Sequence, residues 1–190
     1  MASILRTFVA LELPETAIAA LRNVEEGLRR HRFPFRWVSL ENIHLTLKFL
    51  GETPADRVED IGREIAQRIP GIPSVALSLH GVGTFPGLPK PPRVLWVGLA
   101  GETETLLRLQ AAVEAGMESL GWPPERRSFR PHLTLARAKR AFPRKPFEAA
   151  LAEFREFSSP EFVLRHLVLF QSILRPTGAV YTPLAQFELA

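Results

Sequence analysis

The sequence predicts an α+β fold of mainly antiparallel sheet, arranged as two lobes. Three observations carry this expectation. Strand-type alternation repeatedly gives way to helical spacing, in the order β-α-β-α-β-β-α-β-α-β-β. Hairpin-like neighbours are frequent, and no glycine-rich strand-to-helix turn of the parallel-sheet type occurs. The tetrapeptide His-Leu-Thr-Leu appears twice, at 44–47 and 132–135, once in each half.

The elements follow from local pattern. Residues 4–13 (ILRTFVALEL) alternate as a buried strand. Pro14 and Glu15 open a helix whose apolar positions Ile18, Leu21, Val24 and Leu28 fall at helical spacing. An extended segment runs from about Ile43 to Leu50. A second helix follows, with Thr53 as its cap, Pro54 in its first turn and Val58, Ile61 and Ile65 as its stripe. Residues 74–85 and 93–99 read as strands around a stiff Pro-Gly loop at 86–92. Residues 102–121 form a helix that Gly121 stops. PHLTLAR, from Pro131, is a strand, and PFEAALAEFREF, from Pro146, a short helix. Residues 161–174 and 179–189 are strands joined by an Arg-Pro-Thr-Gly turn. No linker separates the halves, so residues 1–190 are expected to form a single bilobal domain.

Composition narrows the function classes. The 190 residues, 46% hydrophobic and 23% charged, suffice for a core without a metal or disulfide staple. With no cysteine, a disulfide, a thiolate nucleophile and a Cys-ligated metal are all excluded. The opening MASILRTFVALELPE lacks the pattern of a signal peptide, and no apolar run approaches the ~20 residues that span a bilayer. A cytoplasmic protein with no membrane partner is the expectation, and nothing demands more than a monomer. The net charge of +4 is mild, but the positive charge is mostly arginine, which forks onto phosphate. Arginines cluster at Arg29, Arg30, Arg32 and Arg36, and at Arg126, Arg127 and Arg130. A third cluster comprises Arg137, Lys139, Arg140, Arg144 and Lys145.

The informative part of the repeat is His-x-Thr. With five histidines and ten threonines the frame is expected about 0.3 times by chance, and it occurs twice, so it reads as a structural repeat. On a strand, His44 and Thr46 share one face while Leu45 and Leu47 share the other. The leucines face a core and the polar pair a groove; His132 and Thr134 repeat the arrangement. Related by an approximate two-fold, the two strands would surround one pocket with two imidazoles and two hydroxyls. The hydroxyls suit phosphate oxygens. One imidazole can take a proton from water while the other gives one to a departing oxygen. A lone strand histidine is more often a satisfied half-buried residue than a catalyst, but two in matched frames argue for chemistry. A zinc site would need a third ligand, and threonine is a poor one, so no metal and no cofactor are expected.

At these residues the chain resembles the 2H phosphoesterase superfamily, and most nearly its RNA 2′,3′-cyclic phosphodiesterases, also called 2′-5′ RNA ligases. The likeness spans nearly the whole chain, through RTFVALELP, WVSLENIHLTLKFLGE, GVGTFPGLPKPPRVLWVGL, FRPHLTLAR and LFQSILRPTGAVYTPLAQFEL, in that order. The resemblance implies two antiparallel sheets around a central cleft. It implies metal-independent opening of RNA 2′,3′-cyclic phosphate ends to 2′-phosphates, and 2′-5′ joining in vitro. It casts His44 as proton donor to the leaving oxygen and His132 as proton acceptor from water, an order that motif spacing does not set. RNA ends, tRNA halves among them, are the implied partners.

Further substrate-binding candidates follow from position. Arg130 lies two before His132, and Lys48 two after Thr46, each on the groove face of a regular strand. Arg137 lies five after His132, with the opposite parity. Phe85 precedes the Pro-Gly loop and could stack on a base. Tyr181 and Trp37 read similarly. His31, His80 and His166, which lack a following His-x-Thr frame, read as structural. Two other readings stand beside the main one. The same cleft could act on ADP-ribose 1″,2″-cyclic phosphate or 2′-5′ oligonucleotides, or the protein could bind RNA ends with little turnover.

Overall fold

The apolar alternation resolves, in a computed structural model that describes residues 3–176 and 178–190, into nine strands and four helices. The strands are β1 (Ile4–Leu11), β2 (Phe35–Trp37), β3 (Leu45–Pro54), β4 (Val75–Phe85), β5 (Val94–Gly101), β6 (His132–Ala138), β7 (Phe162–Leu164), β8 (His166–Arg175) and β9 (Gly178–Glu188). The helices are α1 (Glu15–Arg29), α2 (Val58–Arg68), α3 (Thr103–Ser119) and α4 (Arg144–Ala152). Sheet A has the order β3-β1-β8-β9 and sheet B the order β2-β6-β5-β4-β7. Every pairing is antiparallel, so the α+β reading with two antiparallel sheets holds.

The two sheets repeat one frame. Phe8 on β1 lies opposite Phe49 on β3 and Phe170 on β8. Val94 on β5 lies opposite Arg137 on β6 and Phe85 on β4. Two residues along, Ala10 faces Thr46 and Val168, and Trp96 faces Thr134 and Gly83. In this pseudo-two-fold β1 corresponds to β5, β3 to β6 and β8 to β4. The first half of the chain thus gives its last strand, β4, to sheet B, and the second half gives its last two, β8 and β9, to sheet A. β2 is an addition at the edge of sheet B with no counterpart in sheet A.

The helices cover the faces that carry the leucines. On sheet A, α3 is tied to β3 by Lys48 and Glu114, and Trp122 Nε1 donates to the Leu50 carbonyl at 3.1 Å. On sheet B, Phe147 of α4 packs edge-on against Phe33 of the α1–β2 connection. Leu45, Leu47, Leu133 and Leu135 are all buried in one continuous core. Gly121 terminates α3 in the left-handed region, φ +93°, as expected.

Three expectations need correction. Thr53 does not cap α2: β3 keeps pairing with β1 through Pro54, and the buried Thr53 hydroxyl bonds Thr7 Oγ1 at 2.7 Å. A turn of 3₁₀ helix at Ala55–Arg57 then leads into α2. The short helix starts at Arg144 and ends at Ala152, earlier than the sequence suggests, and the Phe154 ring beyond it packs on Gly27 of α1. The stretch 161–174 is two strands, not one. It changes sheets at Arg165, which alternation cannot reveal because both parts are apolar. Of the predicted Arg-Pro-Thr-Gly turn, Thr177 lies outside the described residues. Among those residues, no helix is long and apolar enough to cross a membrane.

Candidate active site

Both His-x-Thr frames sit at the start of a strand, β3 at the edge of sheet A and β6 one strand in from the edge of sheet B. His44 Nδ1 lies 2.9 Å from the Asn42 carbonyl, and His132 Nδ1 lies 2.7 Å from the Arg130 carbonyl. In each case the partner is the backbone two residues earlier. A carbonyl oxygen only accepts, so both Nδ1 atoms carry the proton, and the neutral ring keeps an unprotonated Nε2. Thr46 and Thr134 are half-buried on the same faces, and among the described residues no hydrogen bond engages either hydroxyl. The Asn42 amide donates to the Ala179 carbonyl at 3.0 Å, tying the His44 segment to β9.

The surroundings of the two imidazoles differ. His44 stacks on Phe8, 4.6 Å between centroids, and meets the edge of Tyr181 at 5.0 Å, with Phe170 behind. Burial pushes its pKa down to about 4, against the smaller opposing effect of the Asn42 carbonyl. His132 meets the edge of Phe85 at 4.9 Å and, at 6.5 Å, Trp96. The indole of Trp96 lies over Gly83, where any Cβ would overlap it. Burial raises the Tyr181 hydroxyl above its ordinary range while the charges of Arg137 and Arg6 pull it down. Arg137 on sheet B is therefore near enough for its charge to act on the Tyr181 hydroxyl of sheet A.

A β-bulge in each motif strand decides the remaining candidates. On β3, Val9 lies opposite Lys48 and Ala10 opposite Thr46, which leaves Leu47 unpaired. Leu47 and Lys48 therefore both point inward, and Phe49 returns to the His44 face. Lys48 is only 7% exposed; its ammonium bonds Glu114 and the Pro123 carbonyl, so it does not reach the groove. On β6 the bulge falls at Leu135 and Ala136, both fully buried, and Arg137 returns to the His132 face. The simple parity argument thus fails twice, putting Lys48 into the groove and taking Arg137 out of it. Arg130 lies in coil before β6; its side chain is exposed, and it is its carbonyl that holds His132. Phe85 and Tyr181 stand against the two histidines. Trp37 lines a cavity of about 900 Å³ beside His44, under the Arg29 guanidinium. His31 pairs with Glu153, away from the cleft.

Sequence reasoning missed Phe8, Phe49, Phe170, Trp96 and Asn42. Phe49 had a readable signal, because it aligns with Arg137 when the two tetrapeptides are overlaid. The others reach the site from neighbouring strands or through backbone atoms. Among the described residues no three His, Cys, Asp or Glu side chains converge as metal ligands do.

An RNA 2′,3′-cyclic phosphodiesterase of Thermotoga maritima is 33% identical over 97% of this chain and 96% of its own length. One of Thermus thermophilus is 36% identical over 97% and 90%. The crystal structure of a Thermus thermophilus protein aligns with a TM-score of 0.79 at 32% identity over 97% of both chains. Escherichia coli LigT complexed with 3′-AMP shares the fold, with a TM-score of 0.75 at 24% identity over 98% and 99%. The profile of the 2′-5′ RNA ligase superfamily matches residues 10–173, and by that extent the chain belongs to this superfamily.

Proposed function

We propose that the chain opens RNA 2′,3′-cyclic phosphate ends to 2′-phosphates, with two histidines as the acid–base pair and no metal. The observation that carries this reading is the repeated Nδ1–carbonyl bond, which leaves one Nε2 on each lobe free to move a proton. His132 Nε2 takes the proton of a water whose oxygen attacks phosphorus. The bond from phosphorus to the 3′ oxygen breaks, and that oxygen takes the proton from His44 Nε2. Thr46 and Thr134 donate to the non-bridging oxygens, where charge builds. A 5′-hydroxyl in place of water would give a 2′-5′ linkage with the same groups. The substrate is an RNA chain end, tRNA halves included, and a monomer suffices because one chain supplies both frames.

The donor role requires His44 to be protonated, which burial opposes in the free protein. The anionic phosphodiester supplies the compensating charge, so binding takes up a proton and weakens as pH rises through the bound-state pKa. The low value near 4 also favours a second reading in which His44 is the acceptor and His132 the donor. An RNA oligonucleotide with a 2′,3′-cyclic phosphate, incubated with the protein and EDTA, tests the common claim. The 2′-phosphate is the expected product, and His44→Ala and His132→Ala should each slow its formation by about 10²–10⁴-fold. A requirement for added metal, or wild-type rates in both variants, overturns the reading. ADP-ribose 1″,2″-cyclic phosphate and 2′-5′ oligonucleotides, assayed in parallel, define the substrate range.

A further inference from the structure

We infer that Lys48 is a positioning residue: from the strand of the first His-x-Thr frame it anchors the strap that delivers the second, and so fixes the tautomer and place of His132. This rests on the acid–base reading and adds to it a residue that acts through His132 without touching substrate. Lys48 is the one buried cation among the described residues. A buried ion pair adds little net stability, and its best-attested use is to hold one arrangement out of several. The arrangement here is the course of residues 120–131, which join α3 to β6. That strap is exposed from Pro123 to Ser128, so packing does little to hold it.

Hydrogen bonds hold it in place of packing. Lys48 Nζ donates to the Pro123 carbonyl at 2.7 Å and to Glu114 Oε1, and that same oxygen accepts the Glu125 backbone N–H at 2.7 Å. Trp122 Nε1, at the head of the strap, donates to the Leu50 carbonyl. The first half of the strap is thus fastened to β3 and α3. At its far end Phe129 packs against the core, and the Arg130 carbonyl accepts from His132 Nδ1. The other lobe solves the same problem differently: Asn42, whose carbonyl holds His44, is tied to β9 through its own side chain. The bond at one imidazole nitrogen decides which nitrogen carries the proton. A strap that drifts therefore releases His132 to either tautomer and leaves its Nε2 without a fixed role.

The test compares Lys48→Met with Glu114→Gln. Each breaks the ion pair and should lower the urea midpoint. Only Lys48→Met loses the bond to Pro123, because a glutamine at 114 still accepts from the Lys48 ammonium and the Glu125 N–H. Two readouts follow: kcat and KM on a cyclic-phosphate oligonucleotide, and the imidazole nitrogen NMR shifts of His132 in the free protein. The shifts need no turnover, so they report on the strap even if the acid–base reading fails. Lys48→Met should lower kcat about 10-fold or more at unchanged KM, the scale of a small misplacement. Its His132 shifts should move from a single Nδ1–H form toward a mixture of tautomers. Glu114→Gln should stay near wild type in both. A wild-type kcat or a wild-type His132 tautomer in Lys48→Met overturns the inference. So do equal losses in the two variants, which stability alone would explain.

Discussion

The two lobes carry the same tetrapeptide in the same register and give it different environments. On sheet A the position beside the motif is Phe8, so His44 lies under an aromatic ring and titrates near 4. On sheet B the corresponding position is Val94, and Trp96 fills the place of Ala10. Beyond the threonine, the bulge exposes Phe49 on one lobe and Arg137 on the other. One lobe is thus apolar and aromatic where the other is cationic. Symmetry supplies two imidazoles with the same Nδ1–carbonyl bond, and its breakdown gives them unequal surroundings.

The largest effects should come from the shared frame. His44→Ala and His132→Ala should each lower kcat/KM by about 10²–10⁴-fold, measured on a cyclic-phosphate oligonucleotide. The double variant should lose much less than the product of the two, because the pair acts as a unit.

Next comes a residue that the bulge moves out of the cleft. Lys48→Ala should destabilise the fold by about 3 kcal/mol in urea unfolding, since it leaves Glu114 without its buried partner. KM should hold at its wild-type value; a raised KM at unchanged stability would place Lys48 in the groove after all. Thr46→Val and Thr134→Val should each cost about 10-fold or more in kcat, the scale of a hydrogen bond to a charged group.

The smallest effect sharpens the difference between the lobes. In an NMR titration of the free protein, His44 should change protonation near pH 4, and Phe8→Ala should move it up toward the ordinary 6.5. Because the folded-state pKa is the lower one, the unfolded chain binds the extra proton. His44's contribution to stability is therefore complete above pH 6.5 and is lost as pH falls toward 4. Phe8→Ala should flatten that acid-side loss.

The four motif residues of the candidate site were legible because period-two alternation separates His and Thr from the leucines without any knowledge of neighbours. What the alternation could not show is where it breaks. Leu47 and Leu135 look like every other inward leucine, yet each sits at a bulge that reverses the meaning of the residues after it. That is why Lys48 and Arg137 exchanged places. Phe8, Phe170 and Trp96 reach the histidines across sheet pairings between segments far apart in sequence. The crossing at Arg165 was hidden for a similar reason, since sheets A and B bury equally apolar strands.

The division of labour between the two histidines is tested most directly by replacing the leaving 3′ oxygen of the cyclic phosphate with sulfur. A thiolate leaves without a proton, so a variant lacking only the donor recovers on this substrate and one lacking the acceptor does not. With His44 as donor, His44→Ala should approach wild-type turnover while His132→Ala stays inactive. Rescue of His132→Ala in its place would reverse the two roles, and failure to rescue either would contradict the acid–base pair itself.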